Sequence, residues 1–154
     1  MEQSEDRKSL YMTVLMTPDM ANFSGKVHGG TLLKLLDQVA YSCASRYAGT
    51  YVVTLSVDRV LFRDAIGVGE LVSFEATVNY TGRTSLEVGI DVYTENIRDG
   101  SRRHTNSSYF TMVAVDDAGL PVAVPPLVPA TEAEQSRFAD AAARRAALRA
   151  AFAD

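Results

Sequence analysis

The chain has one cysteine in 154 residues, no tryptophan and only two histidines. A lone cysteine, Cys43, excludes an intrachain disulfide. It sits in an apolar, helix-like stretch and reads as a small buried residue. The histidines, His28 and His104, do not stand at a metal-ligand spacing, so no metal is expected. No apolar run approaches the roughly 20 residues that cross a bilayer. The N-terminal MEQSEDRKSL lacks the apolar segment of a secretory signal, so a cytoplasmic protein that does not enter the membrane is expected. Basic residues are not in excess: 15 Lys and Arg meet 19 Asp and Glu, with a pI of about 5.2. That speaks against a nucleic-acid partner, which favours a basic face. Also missing are the G-x-x-x-x-G-K-[ST] phosphate loop and the G-x-S-x-G nucleophile elbow.

What remains is ordinary for a globular domain, 47% hydrophobic and 22% charged, and long enough for one real core. Alternation marks strands with one face on a core. Leu10, Met12, Val14 and Met16 form the first such row. Val53, Leu55 and Val57 alternate with Thr54, Ser56 and Asp58. Further rows run through Val72 to Tyr80, Leu86 to Val92 and Phe110 to Ala114. Turn chemistry at Thr81-Gly82, Asp99-Gly100 and Asp116 to Gly119 favours antiparallel neighbours. One helix is read between the first strand and the rest. The tally predicts a two-layer α+β domain of about five antiparallel strands on one long helix. Its free sheet edges invite a second subunit. Four of the five prolines crowd into 121–130, PVAVPPLVPA, which can be neither helix nor central strand. Beyond it, 130–154 is rich in alanine and arginine. Thr131 and Glu134 fit a capping box there, and Phe138, Leu148 and Phe152 a weak apolar stripe. This segment reads as a C-terminal helix that docks on a neighbour or frays, or as a solvated tail.

Chemistry gathers in NFSGKVHGGTLLKLLDQVAY, residues 22–41. Wound at about 100° per residue, Leu32, Leu36, Val39, Ala40, Cys43 and Tyr47 share one face of a helix over 31–47. Lys34, Gln38 and Ser45 oppose them. Asp37 falls at the margin of the apolar stripe, beside Leu33 and Ala44. Periodicity alone leaves two roles open: a functional acid, or a surface carboxylate paired with Lys34 or a partner's arginine. Gly29 and Gly30 favour the first. A helix entrance leaves backbone N–H groups unpaired, glycines let a ligand oxygen approach them, and the helix dipole adds positive potential. A carbonyl polarised there, with a carboxylate two turns on, suits attack on an ester or thioester. His28 either takes part or shapes the loop.

These segments, in this order, resemble the hotdog-fold acyl-CoA thioesterases of the acyl-CoA hydrolase branch. The carriers are Asn22, HGGTLLKLLDQVAY (28–41), TLSVDRVLFRDAIGVGE (54–70), GRTSLEV (82–88) and YFTMVAVDDAG (109–119). The likeness spans 10–129, leaving 1–9 as an N-terminal tail. It implies hydrolysis of fatty acyl-CoA to free acid and CoA. Asp37 would be general base or nucleophile, and Asn22 would orient substrate or water. The N–H of Gly30 or its neighbour Gly29 would polarise the carbonyl. Val57 and Arg83-Thr84-Ser85 would hold the CoA. The resemblance further implies no cofactor besides the CoA of the substrate. It also implies a homo-oligomer, a dimer with Asn22 and Asp37 from different subunits at each site, assembled as a trimer of dimers. Arg98, Arg102 and Arg103 could add a phosphate patch, or simply wet a loop. Two other functions share the fold: a non-catalytic acyl-CoA sensor, and a dehydratase or hydratase with a histidine–acid pair.

Overall fold

The computed structural model describes residues 6–152. Residues 1–5 of the expected N-terminal tail, and 153–154 at the other end, lie outside the described residues. A short 3-10 turn at Asp6–Lys8 leads into β1 (Ser9–Leu15), and Pro18 opens a second one at Pro18–Met20. Then follow α1 (Gly29–Ala48), β2 (Tyr51–Asp58), β3 (Leu71–Thr81), β4 (Ser85–Glu95), β5 (Arg102–Val115) and α2 (Glu132–Phe152). The five strands form one antiparallel sheet in the order β1-β3-β4-β5-β2, so β1 and β2 are its edges. The expected fold class, one long helix against a five-stranded antiparallel sheet, is the one observed.

α1 starts where His28 caps it and stops at Gly49, whose left-handed φ of 73° ends the helix and returns its N–H to Ser45. It buries Leu32, Leu36, Val39, Ala40, Cys43 and Ala44 against the sheet. The sheet answers with Val72, Phe74, Ala76 and Val78 of β3, Leu86, Val88, Ile90 and Val92 of β4, and Phe110, Met112 and Ala114 of β5. These alternating rows were legible in the sequence. Burial pushes the Cys43 thiol up to about 12, the state of an inert core residue.

One element differs from expectation. In β2 the alternation was read in the wrong phase. Val52 and Thr54 face α1, in register with Ala114 and Met112, while Val53 and Leu55 are exposed. A bulge at Leu55 then returns Val57 to the α1 side opposite Phe110. The physical reason is that β2 is an edge strand, and nothing among the described residues covers its other face. The C-terminal segment is the expected helix, and it packs within its own chain. It lies on the sheet face opposite α1. Phe138 packs on Tyr80 (ring centroids 4.9 Å), and Ala141 is buried. Arg144 donates to both Glu87 carboxylate oxygens at 2.8 and 2.9 Å while lying 3.7 Å over the Tyr109 ring. Of the Thr131–Glu134 capping box, the Glu134 N–H donates to the Thr131 hydroxyl at 3.1 Å, while the Glu134 carboxylate accepts from the N–H of Ala130, one residue before the cap, at 2.9 Å.

Candidate active site

α1 and β2 bring Asp37 and Thr54 together: the Thr54 hydroxyl donates to Asp37 Oδ1 at 2.8 Å. Asp37 is exposed in this chain, further out than the margin position read from periodicity. The carboxylate is thus fixed at one oxygen and free at the other. Sequence reading missed Thr54 because the alternation of β2 placed it on the wet side. The usable signal was the polar residue at the head of TLSVDRV, next to a strand row that would otherwise be apolar.

Asn22 lies elsewhere. Its Oδ1 accepts from the Ser24 N–H at 2.9 Å, the Ser24 hydroxyl at 2.7 Å and the Lys26 N–H at 3.2 Å. An asparagine bonded this way shapes its own loop and leaves its NH₂ group outward. A pocket of about 380 Å³ opens beside it, walled by Val27, Gly29, Leu32, Phe62 and Ile66. Asp37 is not in that wall; it stands eight residues beyond Gly29, roughly 12 Å along the helix axis. Within one chain, Asn22 and Asp37 are therefore not brought together.

The helix entrance corrects the expectation for Gly30. Its N–H is already used: it donates to His28 Nδ1 at 2.9 Å. His28 is the N-cap, and the shaping role is the one the geometry shows. Its Nε2 then carries the ring proton. The N–H of Gly29 makes no hydrogen bond among the described residues, and Gly29 lines the pocket with Phe62. Gly29, and not Gly30, offers the free donor.

On the turn between β3 and β4, Arg83 is exposed and Thr84 half-exposed, but Ser85 is buried. Its Oγ sits where a Cβ on Gly82 would come within 2.8 Å, so Ser85 belongs to the turn. Ser85 pairs with Val113 and Thr54 with Met112, which places the turn and the Asp37–Thr54 pair at the same end of β5. Val57, on the α1 side of β2, is exposed. Arg103 is engaged within the chain. It donates to Glu70 at 2.8 and 3.2 Å and to the Ala65 carbonyl at 3.1 Å, clamping the segment that walls the pocket. Arg102 is taken by Glu75 and the Tyr93 ring. His104 lies with Asp91 and Ser107, both of which meet the same Nε2 or each other. A relay to a serine nucleophile needs the acid on the other ring nitrogen, so this cluster is not a triad. Among the described residues no group of His, Cys, Asp and Glu could hold a metal, and no helix is long and apolar enough to cross a membrane.

The Thioesterase superfamily profile matches residues 24–101. Protein VdlD of Helicobacter pylori is 50% identical over 91% of this chain and 80% of its own. The cytosolic acyl coenzyme A thioester hydrolase of Rattus norvegicus is 36% identical over 84% of this chain, which spans 35% of that longer protein. Among solved structures, an apo-hexameric acyl-CoA thioesterase superposes with a TM-score of 0.90 at 37% identity, over 96% of this chain and 95% of that one. The acyl-CoA hydrolase of Staphylococcus aureus, in complex with butyryl-CoA and CoA, gives 0.84 at 32% identity, over 95% and 88%. That enzyme is also known with alanine in place of an aspartate, a threonine or an asparagine. The chain belongs to the thioesterase superfamily, on the hotdog fold.

Proposed function

We propose that this protein is an acyl-CoA thioester hydrolase, releasing free acid and CoA with Asp37 as general base or nucleophile. The observation that carries this is the Thr54–Asp37 pair, a carboxylate held at one oxygen and open to solvent. A second observation supports it. The asparagine, aspartate and threonine replaced in the Staphylococcus aureus enzyme follow one another at intervals of fifteen and seventeen residues. Asn22, Asp37 and Thr54 stand at the same intervals here.

The chemistry asks little. Asp37 either takes a proton from water as it attacks the thioester carbonyl or attacks directly, with Thr54 holding one carboxylate oxygen still. The Gly29 N–H stabilises charge on the carbonyl oxygen, and the Asn22 NH₂ orients the thioester or the water. A CoA thiolate leaves readily, so no strong general acid is needed, and no cofactor enters beyond the CoA of the substrate. Arg83 and Thr84 on the exposed turn, with Val57, are placed to meet the CoA. A guanidinium can bond two phosphate oxygens at once.

Asn22 and Asp37 of one chain are apart, and β2 exposes an edge with Val53 and Leu55 uncovered. Both point to a dimer in which the Asn22 pocket of one subunit meets Asp37 of the other. Two neighbours are hexameric, which supports three such dimers in one assembly. A cytosolic location follows the mammalian relative. The test is thiol release from acyl-CoAs of increasing chain length by wild type, Asp37→Ala, Asn22→Ala and their equimolar mixture. If each site takes Asn22 from one subunit and Asp37 from the other, mixed dimers regain part of the activity. Full activity of Asp37→Ala would falsify the assignment.

A further inference from the structure

Gly29 and Gly30 open α1 side by side, yet the fold asks for only one of them. A Cβ on Gly30 would come within 3.1 Å of His28 Nδ1 and 3.3 Å of Cε1, so the capping ring crowds that position. Gly29 has no such reason. Its φ is not left-handed. A Cβ there would meet only Cε2 and Cζ of Phe62, both at 3.8 Å, which is ordinary van der Waals contact. Alanine is also the better helix former. Folding alone would accept alanine at 29.

The place of Gly29 supplies a reason. Gly29 and Phe62 both wall the pocket of about 380 Å³ beside Asn22, with Val27, Leu32 and Ile66 among its apolar side chains. Phe62 is 50% exposed, so a ligand can reach its ring from solvent. The ring is also fixed. Asn106 donates to the Leu61 carbonyl at 2.7 Å and Arg103 to the Ala65 carbonyl at 3.1 Å, tying the segment to β5 on both sides of Phe62. The 3.8 Å contact puts Cε2 and Cζ of the ring within about 6 Å of the Gly29 nitrogen. A carbonyl oxygen bonded to that N–H at about 2.9 Å places the first carbon of the acyl chain roughly 4–5 Å from the nitrogen. That carbon and the ring edge therefore share the room that a side chain at 29 would fill.

We infer that this enzyme takes acyl chains unbranched at the carbon next to the thioester carbonyl, with Phe62 as the side chain that excludes a branch and Gly29 as the residue that leaves space for the chain. The inference rests on the thioester hydrolase reading with the Gly29 N–H on the carbonyl. A methylene lies against the ring edge. A methyl branch on the same carbon must displace the tethered ring or draw the carbonyl off the N–H.

The experiment measures thiol release from butanoyl- and octanoyl-CoA and from their 2-methyl analogues by wild type, Phe62→Leu, Phe62→Ala and Gly29→Ala, with thermal unfolding of each. Hydroxide hydrolysis of the same four thioesters gives the intrinsic effect of the branch. In wild type the straight chain is expected to exceed its 2-methyl analogue in kcat/KM by about tenfold or more beyond the hydroxide ratio. Phe62→Leu lowers that ratio and Phe62→Ala lowers it further. Gly29→Ala keeps the N–H but fills the space beside the ring. It is expected to lose release from all four substrates by about tenfold or more, with a Tm no lower than that of wild type. A wild-type ratio equal to the hydroxide ratio, or one that both Phe62 variants leave unchanged, overturns the inference while the hydrolase reading stands. Full release by Gly29→Ala also overturns it, and so does a clear fall in the Tm of that variant, which would show that the fold itself needs the glycine. Release from none of the substrates by wild type brings down the hydrolase reading, and this inference with it.

Discussion

Thr54 Oγ1 and Asp37 Oδ1 are 2.8 Å apart, joining the edge strand β2 to the middle of α1. The contact orients a carboxylate that is otherwise exposed. Thr54→Val keeps the branched shape and loses the hydroxyl. It is expected to lower kcat by roughly 10- to 100-fold with KM little changed, the pattern of an interaction used mainly in the transition state. Asp37→Ala is expected to lose about 10³-fold or more. Because the two act as a unit, the double variant should be no worse than Asp37→Ala alone. A double variant a further tenfold slower would show that Thr54 acts independently of Asp37.

His28 caps α1 through Nδ1, an acceptor role that serine, threonine, asparagine or aspartate can also fill. His28→Ala is expected to cost about 1 kcal/mol, measured by denaturant unfolding. His28→Asn should recover most of it. If the asparagine variant restores stability and activity alike, the imidazole serves only as a cap. If it restores stability alone, the outward Nε2–H has a task at the substrate.

How much of this was legible follows from which side of each element is covered. The rows of β3 and β4 are packed between α1 and the rest of the sheet, so their apolar residues alternate without exception up to Val78. The face of α1 was legible for the same reason. β2 misled because Val53 and Leu55 have no cover among the described residues, and the Leu55 bulge shifts the phase part-way. Thr54 was lost with that phase. β5 proved longer than its apolar part, since its first half carries Arg103, Asn106 and Ser108 on the core side where a strand pattern expects aliphatics. The occupation of the Gly30 N–H by His28 depends on a side-chain rotamer, which no spacing rule supplies. The docking of α2 depends on Arg144 finding Glu87, two charges 57 residues apart.

Cys43 makes a clean probe of the core. Burial holds its thiol up at about 12, against 9.0 for an exposed thiol. Between these values the unfolded chain gives up the proton while the folded chain keeps it. The folded state thus binds more protons, and stability falls as pH rises. The contribution is whole below pH 9 and is lost through about pH 12, at roughly 1.4 kcal/mol per pH unit. Cys43→Ala should unfold less steeply with pH over that window than wild type. Native wild type should also leave a chromogenic disulfide unreduced, and one thiol per chain should appear only on unfolding. A native thiol that reacts within minutes would contradict the burial.

Glu70 ties the pocket wall to β5. The hydrogen bonds from Arg103, chiefly, hold its carboxyl below the ordinary carboxylate value. A depressed carboxyl stabilises the fold fully above the unfolded value of about 4.5 and loses that contribution as pH falls through its lower folded value. Wild type should therefore lose stability below pH 4.5 more steeply than Glu70→Gln. At neutral pH, Glu70→Gln should be the weaker of the two by about 1–3 kcal/mol. Because Arg103 also holds Ala65, Arg103→Ala should loosen residues 59–70, read as faster amide exchange there than in β3 or β4.

The pair that seats α2 yields the sharpest stability test. Glu87 is 7% exposed in its side chain and takes two hydrogen bonds from Arg144, with Asn79 adding a third at 3.2 Å. Removing the arginine leaves a buried carboxylate without its counter-charge, a loss of about 3 kcal/mol. Replacing both partners is less harmful than replacing one, because the uncompensated charge goes with its partner. Arg144→Met is therefore expected to be markedly less stable than Arg144→Met combined with Glu87→Gln, in urea unfolding of the full chain. α2 lies on the sheet face opposite α1 and Asp37, so thiol release by the double variant should track the folded fraction. If the double variant is no more stable than the single one, the charge left on Glu87 is not what destabilises Arg144→Met, and Phe138, Ala141 and the Lys8–Glu134 pair hold the helix.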